Sequence, residues 1–310
     1  MISEIEMENL TELLTRDEKA VFTLRALYNK YGYSQYKMSK FEEYDLYVKN
    51  KDFLPSENII TFTDTDGRLL ALKPDVTLSI IKNSRIASGV FKAQYNENIY
   101  RISKGTNSFK EFMQVGLECL GDVGNRELTE VILLAKKSLD LISESNVLEI
   151  SHLDITYGIL EYAGLSDDGK NKALDCLGKK NSAGIEQICN SESIGEEKTE
   201  LVKKLATVYG APSNVLPMLD VFRVTPETSN AVEQLSYIFG VLAENGVTAN
   251  LCIDFSLVGD MKYYNGIAMK GFIDGIPTGI LSGGQYDKMM VKMKKNNAKG
   301  VGFAVYLSEL

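Results

Sequence analysis

Gln114-Val115-Gly116-Leu117-Glu118 is a segment whose side chains could do chemistry together. In a strand, successive side chains alternate, so Gln114, Gly116 and Glu118 share one face while Val115 and Leu117 share the other. The apolar pair would pack on a core. On the polar face an amide and a carboxylate flank a glycine, which leaves room for a group to approach the backbone. Such a gap could hold an amine or an imidazole, and the same pattern also fits a solvent-facing strand with a bulge. Tyr263-Tyr264-Asn265-Gly266 offers two rings with polar tips, either walls for a ligand or plain core residues. Gly283-Gly284-Gln285-Tyr286-Asp287 sets a diglycine ahead of a helix. Free amides there would suit a phosphate or a carboxylate, and a plain turn fits equally. Gly300-Val301-Gly302-Phe303-Ala304 says by itself only that a strand packs tightly.

The elements that must position these groups follow from periodicity and turn chemistry. Ala20, Phe22, Leu24, Leu27 and Tyr28 recur at helical spacing over 16–31, and Gly32 fits the cap. Residues 59–72 read as two strands joined by Asp66-Gly67, and Pro74-Asp75 opens a helix that runs to about Asn83. Strands are expected at Ile99–Ser103 and Phe109–Leu120, forming a hairpin across a polar loop at 104–108. A helix follows at 128–143 and a strand at 147–155. Residues 157–215 are helical in pattern and rich in Lys, Glu, Asp and Ser, so they read as a small helical insertion. Beyond them come a helix at 229–245, a strand at 248–255, strands at 263–272 and 279–282, a helix from Tyr286 and a last strand at 300–306. Hairpin connections predict an α+β fold with a largely antiparallel sheet and helices on one side.

Composition narrows the function. The chain has 310 residues, 44% hydrophobic and 25% charged, an ordinary globular balance. No stretch reaches the roughly 20 apolar residues of a membrane span. The acidic N-terminus lacks the basic start of a secretory signal, so a cytoplasmic protein is expected. A net charge of −8 works against binding a polyanion, since lysine and arginine drive that contact. The densest basic run, Lys292-Met293-Lys294-Lys295, reads as a solvated helix face. Cys119, Cys176, Cys189 and Cys252 show no CxxC pairing and read as reduced thiols. His152 is the sole histidine, so neither a zinc site nor a cofactor is expected.

The order of these segments resembles the class II catalytic core of histidyl-tRNA synthetases over roughly residues 10–310. That family runs through L-R-P-[DE]-x-T, a hairpin reading [FY]-R-x-E then R-x-F-x-Q-x-G-x-E, L-V-R-G-L-D-Y-Y, G-G-R-Y-D and G-x-G-F-A-x-G-x-E-R. Here they correspond to Leu72–Thr77, Tyr100–Ser103, Lys110–Glu118, Leu257–Tyr264, Gly283–Asp287 and Gly300–Leu310. The resemblance implies a histidine-like pocket. Asp75 and Thr77 would hold the α-amine, and Gln114 and Glu118 the amine and imidazole. Tyr263 and Tyr264 would close around the ring, and Arg101 would remain as a phosphate- or carboxylate-contacting arginine.

The departures fall mostly on cations. Ser103 replaces the hairpin's glutamate and Lys110 its second arginine. Gly259 and Gln285 replace arginines, and Glu309 reverses the charge of the last one. Asp260 and Lys262 differ from the family beside the pocket, and Tyr306 replaces a small glycine. Adenylation at a phosphate depends on positioned cations, and losing one stabiliser costs about 100–1,000-fold. The chain also stops at the last motif, so a core of 1–156 and 216–310 without an anticodon-binding domain is expected.

Within this family, the resemblance points to the regulatory subunit of ATP phosphoribosyltransferase. It implies a non-catalytic homodimer, a short-form catalytic subunit as partner, histidine as effector, and no tRNA. A free-standing amino-acid-adenylating paralogue and a synthetase-like sensor that binds RNA or protein are the alternatives.

Overall fold

The computed structural model describes residues 13–54, 58–86, 88–103, 108–258 and 263–310. Thr15 and Glu18 cap each other: the Glu18 amide donates to Thr15 Oγ1 at 3.3 Å and the Thr15 amide to Glu18 Oε2 at 2.9 Å. This starts α1 (Arg16–Lys30), and Gly32, at φ +83°, stops it as expected. Then come β1 (Ser34–Gln35), β2 (Phe41–Glu43), α2 (Tyr44–Lys49), β3 (Thr61–Thr63) and β4 (Leu69–Leu72). The β3–β4 hairpin turns at the expected Asp66-Gly67, where Gly67 has φ +86°. The next helix, α3 (Thr77–Asn83), begins just after Pro74-Asp75, and the Leu78 amide donates to Asp75 Oδ1 at 2.8 Å.

β5 (Val90–Ile102) and β6 (Phe109–Gly121) form a hairpin in unbroken register from Val90 opposite Gly121 to Ile102 opposite Phe109. The first of these strands was expected only from Ile99. Its earlier half shows no alternation in sequence because both faces are covered: Gln94 is buried and donates to Asn29 and to the Tyr33 carbonyl. After α4 (Asn125–Ile142), β7 (Asn146–His152) ends before the expected Ile155. Its last paired residue is His152, opposite Ile267, and α5 (Leu153–Ala163) takes over directly.

Helices α6 (Asp167–Gly178), α7 (Ser182–Ser191) and α8 (Glu196–Thr207) follow, then β8 (Tyr209–Gly210) and α9 (Pro212–Val215). The chain closes with α10 (Pro226–Glu244), β9 (Leu251–Asp254), β10 (Asn265–Ile273), β11 (Leu281–Gln285), α11 (Asp287–Lys292) and β12 (Lys299–Tyr306). The main sheet runs β1-β5-β6-β12-β11-β10-β7-β9-β8, and among its described pairs only β1·β5 and β7·β9 are parallel. Strands β2, β4 and β3 make a separate small sheet. Val115, Leu117 and Phe303 pack with α1, α4, α5 and α10 into a large core on one face. The other face carries Tyr95, Ile99 and Leu120 against α2, α3 and α11. Among the described residues no helix is long and apolar enough to cross a membrane.

Candidate functional site

On that second face lies a cavity of about 1540 Å³. Its walls bring together all seven of the expected pocket residues: Asp75, Thr77, Arg101, Gln114, Glu118, Tyr263 and Tyr264. Alternation on β6 puts Gln114 and Glu118 into the cavity, 3% and 2% exposed, so the solvent-facing alternative does not hold. Thr77 Oγ1 donates to Glu118 Oε1 at 2.6 Å, and the Tyr286 hydroxyl donates to Glu118 Oε2. Burial pushes the Glu118 carboxyl up to about 8; the two hydroxyl bonds oppose the shift and nearby Asp75 adds to it.

Four glycines make this packing possible, and the sequence reading of three of them needs correction. Gly116 leaves a gap, but the gap belongs to Tyr95 of β5, the residue directly opposite it; a methyl there would strike the Tyr95 hydroxyl. Gly302 stands opposite Glu118 on β12 and leaves space for its carboxylate. Gly283 and Gly284 are not a phosphate-cradling turn. They lie within β11, paired to β10 and β12, and a side chain at Gly283 would meet Phe303.

Asp75 does two jobs at once. Its Oδ1 caps α3, while Oδ2 lies 3.5 Å from both the Arg101 guanidinium and the Tyr263 hydroxyl. Burial raises its carboxyl above the usual range, against the pull of Arg101. Arg101 Nε also donates to the Pro74 carbonyl at 2.6 Å, so β5 grips the turn that carries Asp75. Lys73 completes the grip: its fully buried Nζ lies 2.6 Å from Glu97 Oε2. Tyr263 packs edge-on against Tyr264, centroids 4.7 Å apart, and against Tyr286 at 6.2 Å. Tyr95, Tyr286 and Lys73 had no assigned role in the sequence reading. The G-G-x-Y-D spacing marked Tyr286, but its contact with Glu118 spans 168 positions.

The rest of the lining is different. Ser103, Tyr306 and Glu309 line the cavity, and Glu309 accepts from the Thr278 hydroxyl at 3.0 Å. Lys110 is exposed on β6 opposite Arg101. Gln285 turns from the cavity to accept from the Ile267 amide at 2.9 Å, filling space that Gly266, at φ +62°, leaves open. Gly259, Asp260 and Lys262 lie outside the described residues. Among the described lining residues Asp52, Asp75, Glu118, Asp175 and Glu309 stand against two cations, Arg101 and Lys179. An acidic cavity suits an ammonium or imidazolium and opposes a triphosphate. No group of three or more metal-ligating side chains occurs among the described residues.

The model of the family described as histidyl-tRNA synthetase matches residues 8–310. The chain belongs to that family. Two relatives of this family member are named ATP phosphoribosyltransferase regulatory subunit. The protein of Ruminiclostridium cellulolyticum is 27% identical over 93% of this chain and 70% of its own length. That of Oceanobacillus iheyensis is 28% identical over 90% and 69%. A crystal structure from Bacillus halodurans, described as an ATP phosphoribosyltransferase regulatory subunit/histidyl-tRNA synthetase, superposes with a TM-score of 0.84 at 21% identity, covering 99% of this chain and 79% of that one. A chain of the ATP phosphoribosyl transferase (HisG:HisZ) complex from Thermotoga maritima gives 0.74 at 22% identity, covering 94% and 97%. These structures fix the family member's fold as class II synthetase-like.

Proposed function

We propose that the chain is a regulatory subunit of ATP phosphoribosyltransferase. It assembles with a short-form catalytic subunit in the cytoplasm, supports that subunit's activity and carries feedback by histidine, without catalysing a reaction itself. The observation that carries this reading is the asymmetry of the cavity. Buried Asp75, Thr77, Gln114 and Glu118 converge on one part of the lining, while another part presents Ser103, Tyr306 and Glu309. The names of the relatives support it. We take residues 1–156 and 216–310 as the synthetase-like core and 157–215 as a helical insertion. The core pairs with a second copy through its first motif, where Phe22 on α1 is 54% exposed. Histidine acts by binding one state of the assembly better, for which a coupling of about 1–3 kcal/mol suffices.

The test mixes the purified chain with the short-form catalytic subunit of the same organism and follows phosphoribosyl transfer. Added chain should raise the rate, and histidine should then lower it. A rate indifferent to the chain would overturn the regulatory reading, and one that the chain raises but histidine leaves unchanged would overturn the effector assignment.

A further inference from the structure

The pocket floor holds two buried carboxyls and little to neutralise them. Glu118 takes its hydrogen bonds from the hydroxyls of Thr77 and Tyr286. The charged neighbour acting on it is a second carboxyl, Asp75. Arg101, the cation on this wall, is committed to Asp75 and to the Pro74 carbonyl. An uncompensated buried carboxylate is costly, so a carboxyl in this setting keeps its proton. The value of about 8 for Glu118 agrees. Tyr95, Tyr263 and Tyr286, the titratable rings facing it from β5, from just before β10 and from the residue before α11, are all held far above their ordinary range and stay neutral phenols. Aromatic faces around a carboxyl favour a flat cation between them.

We propose that Glu118 holds a proton in the empty pocket and passes it to a ring nitrogen of the ligand, so that an imidazole enters neutral and is held as imidazolium against a carboxylate. The carboxyl O–H bond breaks as the ring N–H bond forms, and no proton is exchanged with solvent. Thr77 and Tyr286, whose hydroxyls donate to the two carboxyl oxygens of Glu118, keep donating once the carboxylate forms. The inference rests on the reading of the cavity as a histidine site. It predicts a bell-shaped affinity. Below the ring's ordinary value of about 6.5 the free partners together carry one proton too many. Above about 8 they carry one too few. Affinity is flat between these limits and falls by up to tenfold per pH unit outside them.

The experiment adds ring-15N-labelled histidine to the unlabelled full chain at a pH of about 7.5, where free histidine is mostly neutral. The bound ring should show the nitrogen shifts of an imidazolium, and with Glu118→Gln those of a neutral ring. A neutral bound ring in the wild-type protein overturns this inference and leaves the histidine site standing; absence of binding overturns both. A ligand-free measurement guards against a misfolded variant. Because the folded value of Glu118 lies above its unfolded one, the stability it contributes is present below the ordinary carboxyl range and lost as pH rises through about 8. The melting temperature of the wild type should therefore fall relative to E118Q between roughly pH 5 and pH 8 and run parallel to it above that; curves parallel throughout would overturn the proposal.

Discussion

The two walls of the cavity are built by different rules. The Glu118 wall draws on β5, β6, β12, α3 and the residue before α11, and its carboxyls sit buried among hydroxyls, glycines and one committed arginine. The Glu309 wall is half exposed, and its carboxylate meets a threonine hydroxyl. Recognition of a small cation needs the first kind of surface: groups fixed in advance and shielded from water. Phosphoryl chemistry needs the second kind to be cationic, and Arg-type forks cannot be replaced there by serine or glutamate. A fold that keeps one wall and changes the other keeps binding while giving up chemistry.

Breaking the grip beneath the first wall should have the largest effect. Lys73→Met leaves Glu97 without its partner, and stability should drop by about 3 kcal/mol, the low end for a broken buried pair, because Glu97 keeps 16% exposure. The urea midpoint reads this directly. Gly302→Ala places a methyl against the Glu118 carboxylate and the Leu117 carbonyl. It should cost about 1–3 kcal/mol and abolish histidine binding, whereas Ser103→Ala on the other wall should stay within about 0.5 kcal/mol.

Putting cations back sharpens the contrast. Gln285→Arg forces a charge into a buried site whose present occupant accepts from the Ile267 amide, and it should destabilise by at least about 1 kcal/mol. Glu309→Arg should be nearly neutral in melting temperature, within about 0.5 kcal/mol. The smallest effect lies outside both walls. His152 is buried against Gln234, and desolvation lowers its imidazole below the ordinary value, opposed by Asp154. The stability linked to it is present above about pH 6.5 and lost as pH falls through that range. As the sole histidine it gives one ring signal in a 15N-labelled protein, which should titrate later than that of a free imidazole on acidification.

Much of this was legible from residue order. The Asp66-Gly67 hairpin, the cap at Gly32 and the shared face of Gln114 and Glu118 each follow from local chemistry, and the structure keeps them. What escaped depends on register across distant strands. Gly116 looks like room for a ligand until the β5–β6 pairing sets Tyr95 opposite it. Gly283 and Gly284 look like a loop until β10 and β12 flank them and Phe303 and Tyr264 take up the space. Gln285 stands at an arginine position of the family motif, yet a bulge in β10 turns its side chain to the backbone. The first half of β5 hid because both of its faces are covered.

On the proposed function the chain binds an amino acid and cannot activate it. Histidine-dependent exchange of pyrophosphate into ATP, measured on the purified chain at saturating histidine, tests this most directly. The predicted result is exchange no faster than in the absence of histidine; a rate that rises with histidine and disappears in Glu118→Gln would contradict it.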